Sequence, residues 1–236
     1  LDESERPAIL IGHGVIADGA GSMIREISEK YHIPVLATWR AKGIFGDDEP
    51  LYMGAPGVPA ARYSNYVLQN SDFLLIIGTR LNPALTAYAE NRFATGAKKI
   101  IVDIEKAEVD KLTIPFELII ISSAGHFLKT FLEHQSVCIP KNRDKWLNYC
   151  MRMKAKYPLH NEIQPLFMGG KVDGYLFAEK LSGNSTANDI MVGSSSGRTC
   201  SMSHIAYKLK QGQKFISSMG IGSMGWCVPS AIACSI

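Results

Sequence analysis

Short apolar runs alternate with amphipathic stretches along the first half of the chain. The runs fall at residues 7–12 (PAILIG), 34–37 (PVLA), 72–77 (DFLLII), 99–102 (KIIV, followed by Asp103) and 116–121 (FELIII). Each is continuously apolar rather than alternating, the pattern of a strand covered on both faces of a parallel sheet. Helical periodicity fills the gaps at 19–31, 60–69 and 125–134, with a short turn near 105–111. In the first of these, Met23, Ile24 and Ile27 share one face, while Arg25, Glu26, Glu29 and Lys30 take the other. This alternation predicts a doubly wound parallel α/β domain with right-handed crossovers over residues 1–135.

The pattern changes at residues 136–170. Pro140, Pro158 and Pro165 punctuate a polar stretch that carries one amphipathic helix through Trp146, Tyr149 and Met153 and ends at Gly169-Gly170. It reads as an interdomain linker with some helix of its own. Residues 171–236 resume the alternation, with helix at 173–181, strand at 189–192, helix at 198–210 and strand at 214–216. They predict the beginning of a second α/β domain.

Composition narrows the function classes. Apolar residues make up 46% and charged residues 20% of the 236, and the net charge of +3 is carried by scattered basic residues. Neither a nucleic-acid nor a membrane partner is expected from that. Cys138, Cys150, Cys200, Cys227 and Cys234 show no paired spacing, so reduced thiols in a cytoplasm are expected rather than disulfides or a zinc site. No apolar run approaches the ~20 residues of a membrane span, and the acidic opening lacks the basic and apolar regions of a targeting segment. His13 sits between two glycines at a strand end, as a site residue or a turn residue. His32, His126, His134, His160 and His204 show no metal spacing, and Asp47-Asp48-Glu49 reads as a solvated loop.

The chemistry concentrates near the carboxy terminus, in FISSMGIGSMGWCVPSAIA at 215–233. A strand ends at Ser217-Ser218. Gly220, Gly222 and Gly225 then thread a tight loop, and an apolar helix opens near Trp226 with Pro229 in its early turns. Glycines at this spacing let backbone N–H groups approach an anion, and a helix N-terminus adds a favourable partial charge. The spacing alone leaves two readings open, a phosphate loop or a packing turn.

The residue identities add a resemblance. Ser218, Gly220, Gly222, Met224, Gly225, Pro229, Ala231 and Ile232 coincide with the SGGLGTMGFGLPAAIGA-type segment of the pyrophosphate domain in thiamine-diphosphate enzymes of the acetolactate synthase group. Ser196-Gly197-Arg198-Thr199-Cys200 falls where that group carries a GQHQ-like segment, and Tyr207-Lys208-Leu209-Lys210 is similar to its YYKFK-like helix end. Residues 7–112 resemble the central domain of the same enzymes. The matches include Pro34 to Thr38, Lys42-Gly43, Pro50-Leu51, Tyr63-Ser64-Asn65, Ser71-Asp72, Gly78 to Leu81, Phe93-Ala94, and Asp103-Ile104-Glu105 with Lys111. The chain departs from the group at Met219, Cys227 and Ala233, each in place of glycine, and lacks its His and Gln after Gly197. It also reads Gly-Thr-Arg-Leu-Asn-Pro-Ala at 78–84 where flavin-binding members read GARFDDR.

The resemblance implies thiamine diphosphate beside Gly197, Arg198 and Thr199 and along Ser218, Gly220 and Gly222, with Met224 beneath the bent cofactor. It implies FAD in a structural, non-redox role, or another nucleotide, on the central domain. The carried-over positions are Gly12, His13, Gly14, Thr38, Trp39, Arg40, Gly57, Gly78, Thr79, Arg80 and Asp103. The activating Glu is expected on an amino-terminal domain and the Mg²⁺ ligands beyond Ile236, so no catalytic or metal-ligating residue is expected within these residues. The implied activity is that of a larger homo-oligomer, dimer or tetramer, which decarboxylates a 2-oxo acid such as pyruvate and ligates the two-carbon unit to a carbonyl acceptor. A thiamine decarboxylase, oxidase or lyase of the same fold, and a non-catalytic nucleotide-binding module, are the alternatives.

Overall fold

The computed structural model describes residues 1, 3–134, 140–159, 167–193, 197–218 and 220–236. Cys138, His160, Pro165, Ser196 and Met219, all weighed above, lie outside them.

The five apolar runs are strands: β1 (Pro7–Ile11), β2 (Val35–Ala37), β3 (Phe73–Ile77), β4 (Lys98–Asp103) and β5 (Leu118–Ile121). They form one parallel sheet in the order β2-β1-β3-β4-β5. Alternate side chains explain why the runs are apolar without a break. Ala8, Leu10, Leu74, Ile76 and Ile101 pack on one face of the sheet, and Ile9, Ile11, Leu75, Ile77 and Val102 on the other. The second face is covered by α2 (Gly21–Tyr31) through Ile24, Ile27 and Tyr31, and by α5 (Ala124–Glu133) through Ala124 and Leu128. The first is covered by α3 (Arg62–Asn70) through Val67 and Leu68. Two short helices, α1 (His13–Ala17) and α4 (Lys106–Asp110), follow β1 and β4. Strand β5 lies at the sheet edge, where Leu118, Ile119 and Ile121 remain 46–49% exposed.

The helix expected inside the linker forms as α6 (Asp144–Lys156), but it is docked on the central sheet domain. Trp146 and Cys150 are buried in the same core cluster as β1 and α3, and the Trp146 indole donates to the Pro7 carbonyl at 2.8 Å. Its flanking prolines suggest a connector, yet its apolar stripe belongs to the core. Beyond it come a two-residue antiparallel pair, β6 (Phe167–Met168) and β7 (Lys171–Val172), and α7 (Gly174–Gly183), whose first turn is capped by Asp173 accepting from Leu176 N at 2.8 Å. A parallel pair then begins anew: β8 (Met191–Val192), α8 (Gly197–Ile205) and β9 (Phe215–Ile216), followed by α9 (Cys227–Cys234).

A buried polar joint fastens this second unit to the first. Lys42 is buried, donates from Nζ to the carbonyls of His204 (3.1 Å) and Tyr207 (2.9 Å), and lies 3.6 Å from Asp47 Oδ2. Asp47 is not solvated as its neighbours suggest. Its Oδ2 accepts from Leu209 N at 2.7 Å, and its own N–H donates to the Leu209 carbonyl at 3.0 Å. Nearby, His204 is fully buried, its ring 4.7 Å from that of Trp39 and 4.8 Å, edge-on, from that of Phe215. Burial holds its pKa down at about 4, with Lys42 adding to the depression and a hydrogen bond to the Cys200 backbone opposing it.

Two outcomes are expected. Trp146→Ala should cost roughly 3–5 kcal/mol in denaturant unfolding, because a packed indole and the partner of a buried carbonyl are both lost; a detached linker helix would leave the midpoint unmoved. The His204 pKa sets a direction with pH. Between the ordinary value of 6.5 and about 4 the unfolded chain takes up a proton that the folded chain does not. The stability associated with neutral His204 is therefore complete above the upper value and declines as pH falls through that window. His204→Gln should flatten this part of the stability profile measured by urea titration at successive pH values.

Candidate functional site

The sheet order places its switch point between β1 and β3, since the chain winds outward to β2 first and then returns past β1. Loops leaving adjacent strands diverge there and open a crevice at the carboxyl ends. The two loops meet backbone to backbone. A Cβ on Gly12 would sit 2.1 Å from the Gly78 carbonyl oxygen, and one on Gly14 would sit 2.8 Å from Gly78 Cα. Gly78 itself has φ of 62°, in the left-handed region that glycine adopts without penalty. The Gly14 N–H donates to the Gly78 carbonyl at 3.0 Å and locks the approach.

A cleft of about 610 Å³ opens above this contact, within the size range of small-molecule sites. Its walls come from the residues that follow all five strands: His13 and Gly14 after β1, Thr38, Trp39 and Arg40 after β2, Gly78, Thr79 and Arg80 after β3, Asp103 closing β4, and Ser123 after β5. Along the sheet order the cations follow β2 and β3, while Asp103 and Glu108 follow β4. Arg40 and Arg80 are exposed and have no side-chain partner among the described residues. Asp103 is buried and accepts from Glu105 N through Oδ1 at 3.0 Å, which fixes the carboxylate. Trp39 keeps its indole N–H buried with no acceptor among the described residues. His13 Nδ1 lies 3.2 Å from the Arg40 carbonyl and joins the β1 and β2 loops.

Most of the central-domain positions singled out from sequence thus line one cleft. Gly12 lies beneath it, packed on Gly78. Gly57 is not on its wall: with φ of 114° its N–H donates to Asn65 Oδ1 at 2.8 Å, and its carbonyl accepts from Asn65 Nδ2 at 3.0 Å. It sets the course of the loop that brings Pro56 and Val58 to the cleft. Sequence reading missed Asp18 and Glu108, and noted Asn82 and Ser123 only as departures from the flavin-binding pattern, yet all four line the cleft. Asp18 Oδ2 accepts from Gly125 N at 2.8 Å and Ser123 Oγ from His126 N at 3.2 Å, so those first-turn amides of α5 are already occupied by protein.

The carboxy-terminal candidates lie elsewhere, at the ends of the β8–β9 pair. Gly193 N donates to the Ile216 carbonyl at 2.8 Å, so the two strands finish side by side. Gly197 opens α8 after the first strand, with Arg198 and Thr199 in its first turn, and the glycine loop follows the second. Gly220, Gly222 and Gly225 have φ of 115°, 67° and 79°. The Ser218 carbonyl accepts from both Ile221 N (3.2 Å) and Gly222 N (3.1 Å), curling the loop. Met224 is 88% exposed. The two sites adjoin: Gly220 also lines the central cleft, and a Cβ there would lie 3.6 Å from Arg80 Nη2. Among the described residues no cluster of His, Cys, Asp and Glu could hold a metal ion, and no helix is long and apolar enough to cross a membrane.

Known proteins share this sequence pattern. The chain is 30% identical over its whole length to a protein of Methanocaldococcus jannaschii named probable acetolactate synthase large subunit, of which it covers 40%. It is 29% identical over 98% of its length to the acetolactate synthase large subunit of Corynebacterium glutamicum, covering 36% of that protein. Against acetolactate synthase 1, chloroplastic, of Zea mays, it is 28% identical over its whole length, covering 36%. The chain therefore spans about two-fifths of the length of the curated relatives it matches. Residues 1–131, which carry the five-stranded sheet and its cleft, match the family model described as thiamine pyrophosphate enzyme, central domain. The chain belongs to the thiamine pyrophosphate enzyme family.

Proposed function

We propose that this chain is the central domain and the beginning of the diphosphate-binding domain of an acetolactate-synthase-like enzyme. The enzyme would decarboxylate a 2-oxo acid, pyruvate, and join the two-carbon unit to a carbonyl acceptor, as a homo-oligomer that requires thiamine diphosphate and Mg²⁺. The observation that carries this reading is the pairing of β8 with β9. The segments that follow these paired strands, 197–199 after β8 and Ser218 with 220–224 after β9, support a reading in which one diphosphate is held by both. The residues fit such a group. Positive φ at Gly220 and Gly225 leaves backbone N–H groups without a side chain to shield them, while the Gly222 N–H is taken by the Ser218 carbonyl, and the exposed Met224 is free to support a ring system.

Thiamine diphosphate, when bound, supplies a carbon nucleophile and the electron sink into which a 2-oxo acid loses CO₂. This chain's part is binding and orientation. The glycine loop contributes amide donors, Ser218 and Thr199 bring hydroxyl groups, and α9 begins beside the end of β8, where Cys227 Sγ lies 3.5 Å from the Gly193 carbonyl.

The central cleft is proposed to hold FAD in a structural role. Its support is the glycine cradle at 12, 14 and 78, the uncommitted Arg40 and Arg80, the fixed Asp103 carboxylate and the unsatisfied Trp39 indole N–H. Guanidinium groups suit a pyrophosphate, and a carboxylate held beyond them suits a polyol or ribose hydroxyl.

The test uses the full-length protein, purified and stripped of small molecules. Carbon dioxide release from pyruvate should require both thiamine diphosphate and Mg²⁺, and 300–500 nm absorbance of the unstripped protein should show flavin bands. Pyruvate turnover indifferent to thiamine diphosphate would end the main reading; turnover without flavin bands would remove FAD alone. In the same protein, Arg80→Ala should weaken FAD binding by about tenfold or more, the scale of one charge-assisted hydrogen bond, as read by equilibrium titration of flavin fluorescence.

A further inference from the structure

His204 carries no role in the reading above, yet it stands where the two candidate sites meet. Its Nδ1 lies 2.7 Å from the Cys200 carbonyl oxygen, with Ser203 Oγ at 3.3 Å and Cys200 Sγ at 3.5 Å. A carbonyl only accepts, so Nδ1 carries the hydrogen. In the neutral ring Nε2 is then an acceptor, and the Ser217 hydroxyl, 3.1 Å away, donates to it. Ser217 is the residue at which β9 gives way to the glycine loop. The imidazole also packs against Trp39, which lines the central cleft, with ring centroids 4.7 Å apart and planes tilted by 40°.

We propose that His204 is a positioning residue for the glycine loop: it fixes Ser217 at the loop's entrance and ties that point to the Trp39 wall of the central cleft. The proposal rests on the reading of this loop as a thiamine diphosphate site. Its reach follows from how exposed the loop is. Ile221 and Met224 are each 88% exposed, and an added Cβ at Gly225 would meet no atom within 4 Å. Among the described residues its contacts to other segments include the approach of Gly220 to Arg80 and a 3.5 Å contact from Cys227 Sγ to the Gly193 carbonyl. A loop this exposed depends, for where its amides lie, on the point at which it leaves the strand, and that point is Ser217. The anchor, in contrast, is rigid: His204 is fully buried between Trp39, Phe215 and its own helix, and burial keeps it neutral so that Nε2 remains an acceptor near neutral pH.

The experiment titrates thiamine diphosphate with Mg²⁺ into full-length apoprotein by calorimetry, for wild type, His204→Ala, Ser217→Ala and the double variant. Both single variants should bind about five- to tenfold more weakly, the scale of one lost hydrogen bond that orders a site. The double variant should be no weaker than the worse single one, because both remove the same bond. In turnover assays the cofactor KM should rise while kcat at saturating thiamine diphosphate is retained, and the Ser217→Ala melting temperature should match wild type. A merely structural histidine would lower the melting temperature without this split. Wild-type affinity in both single variants overturns the proposal and leaves the thiamine reading standing; no binding by wild type ends both. Should His204→Ala fail to fold, Ser217→Ala decides alone.

Discussion

The carbonyl oxygen of Gly78 occupies the space in which any side chain on Gly12 would have to begin. That contact lets the loops after β1 and β3 close on each other at the one place in the sheet where the winding reverses. Everything above it follows. With the two loop backbones in van der Waals contact, His13 and Arg80 stay exposed at the rim of the cleft, while Thr79 is buried against Gly12 beneath them. A cleft of this kind suits a ligand whose recognition depends on backbone amides and on a few charges set at the edges. Larger residues at 12, 14 or 78 would part the loops, and the cleft and the β1–β3 pairing would be lost together.

The second constraint is electrostatic. Lys42 is taken out of water at a cost that its partners must offset, and the partners belong to both halves of the chain: Asp47 beside it and the carbonyls of His204 and Tyr207 beyond. Asp47 in turn spends its acceptor capacity on Leu209 N. Neither half can satisfy these groups alone: separating the two would leave the Lys42–Asp47 pair without the carbonyls of His204 and Tyr207 and the N–H of Leu209. The joint thereby fixes where α8 and the strand after it begin, relative to the cleft.

Much of this was legible in the sequence, and the failures share a cause. Five apolar runs read as strands covered on both faces, which holds for four, while β5 at the sheet edge stays half exposed. Positions 13, 38–40, 78–80 and 103 came from the resemblance to the central domain, and they close or follow those strands. What the sequence did not reveal was pairing across distance. The stripe of Trp146 and Cys150 shows that a helix has an apolar face but not what it faces, so prolines on either side made a core helix look like a connector. Asp47 sat in an acidic triplet and Lys42 beside a glycine, both ordinary at a surface, and only folding brings them to Leu209 and His204. His204 lacked metal spacing, and nothing else in the sequence around it hinted at its contact with Trp39. Gly57 resembled a cleft residue, but its peptide is committed to Asn65.

Arg80 shows why the two sites are best regarded as neighbours rather than as separate pockets. It lines the central cleft, and its Nη2 comes within 3.6 Å of where a side chain on Gly220 would start. A guanidinium keeps its charge at any physiological pH, and its field falls off slowly where protein replaces water on one side. An anion bound in the cleft would neutralise that charge and weaken what the loop can offer a second anion. An empty cleft leaves the full charge facing the loop. The mechanical link through Trp39, His204 and Ser217 need not act in the same sense, since a ligand packed against Trp39 would stiffen the loop entrance and favour binding there. Electrostatics and packing therefore oppose one another across this wall. At low ionic strength the repulsive term is strongest, and screening by salt shifts the balance toward the packing term, because the Debye length shrinks while the contact between the two rings is unaffected.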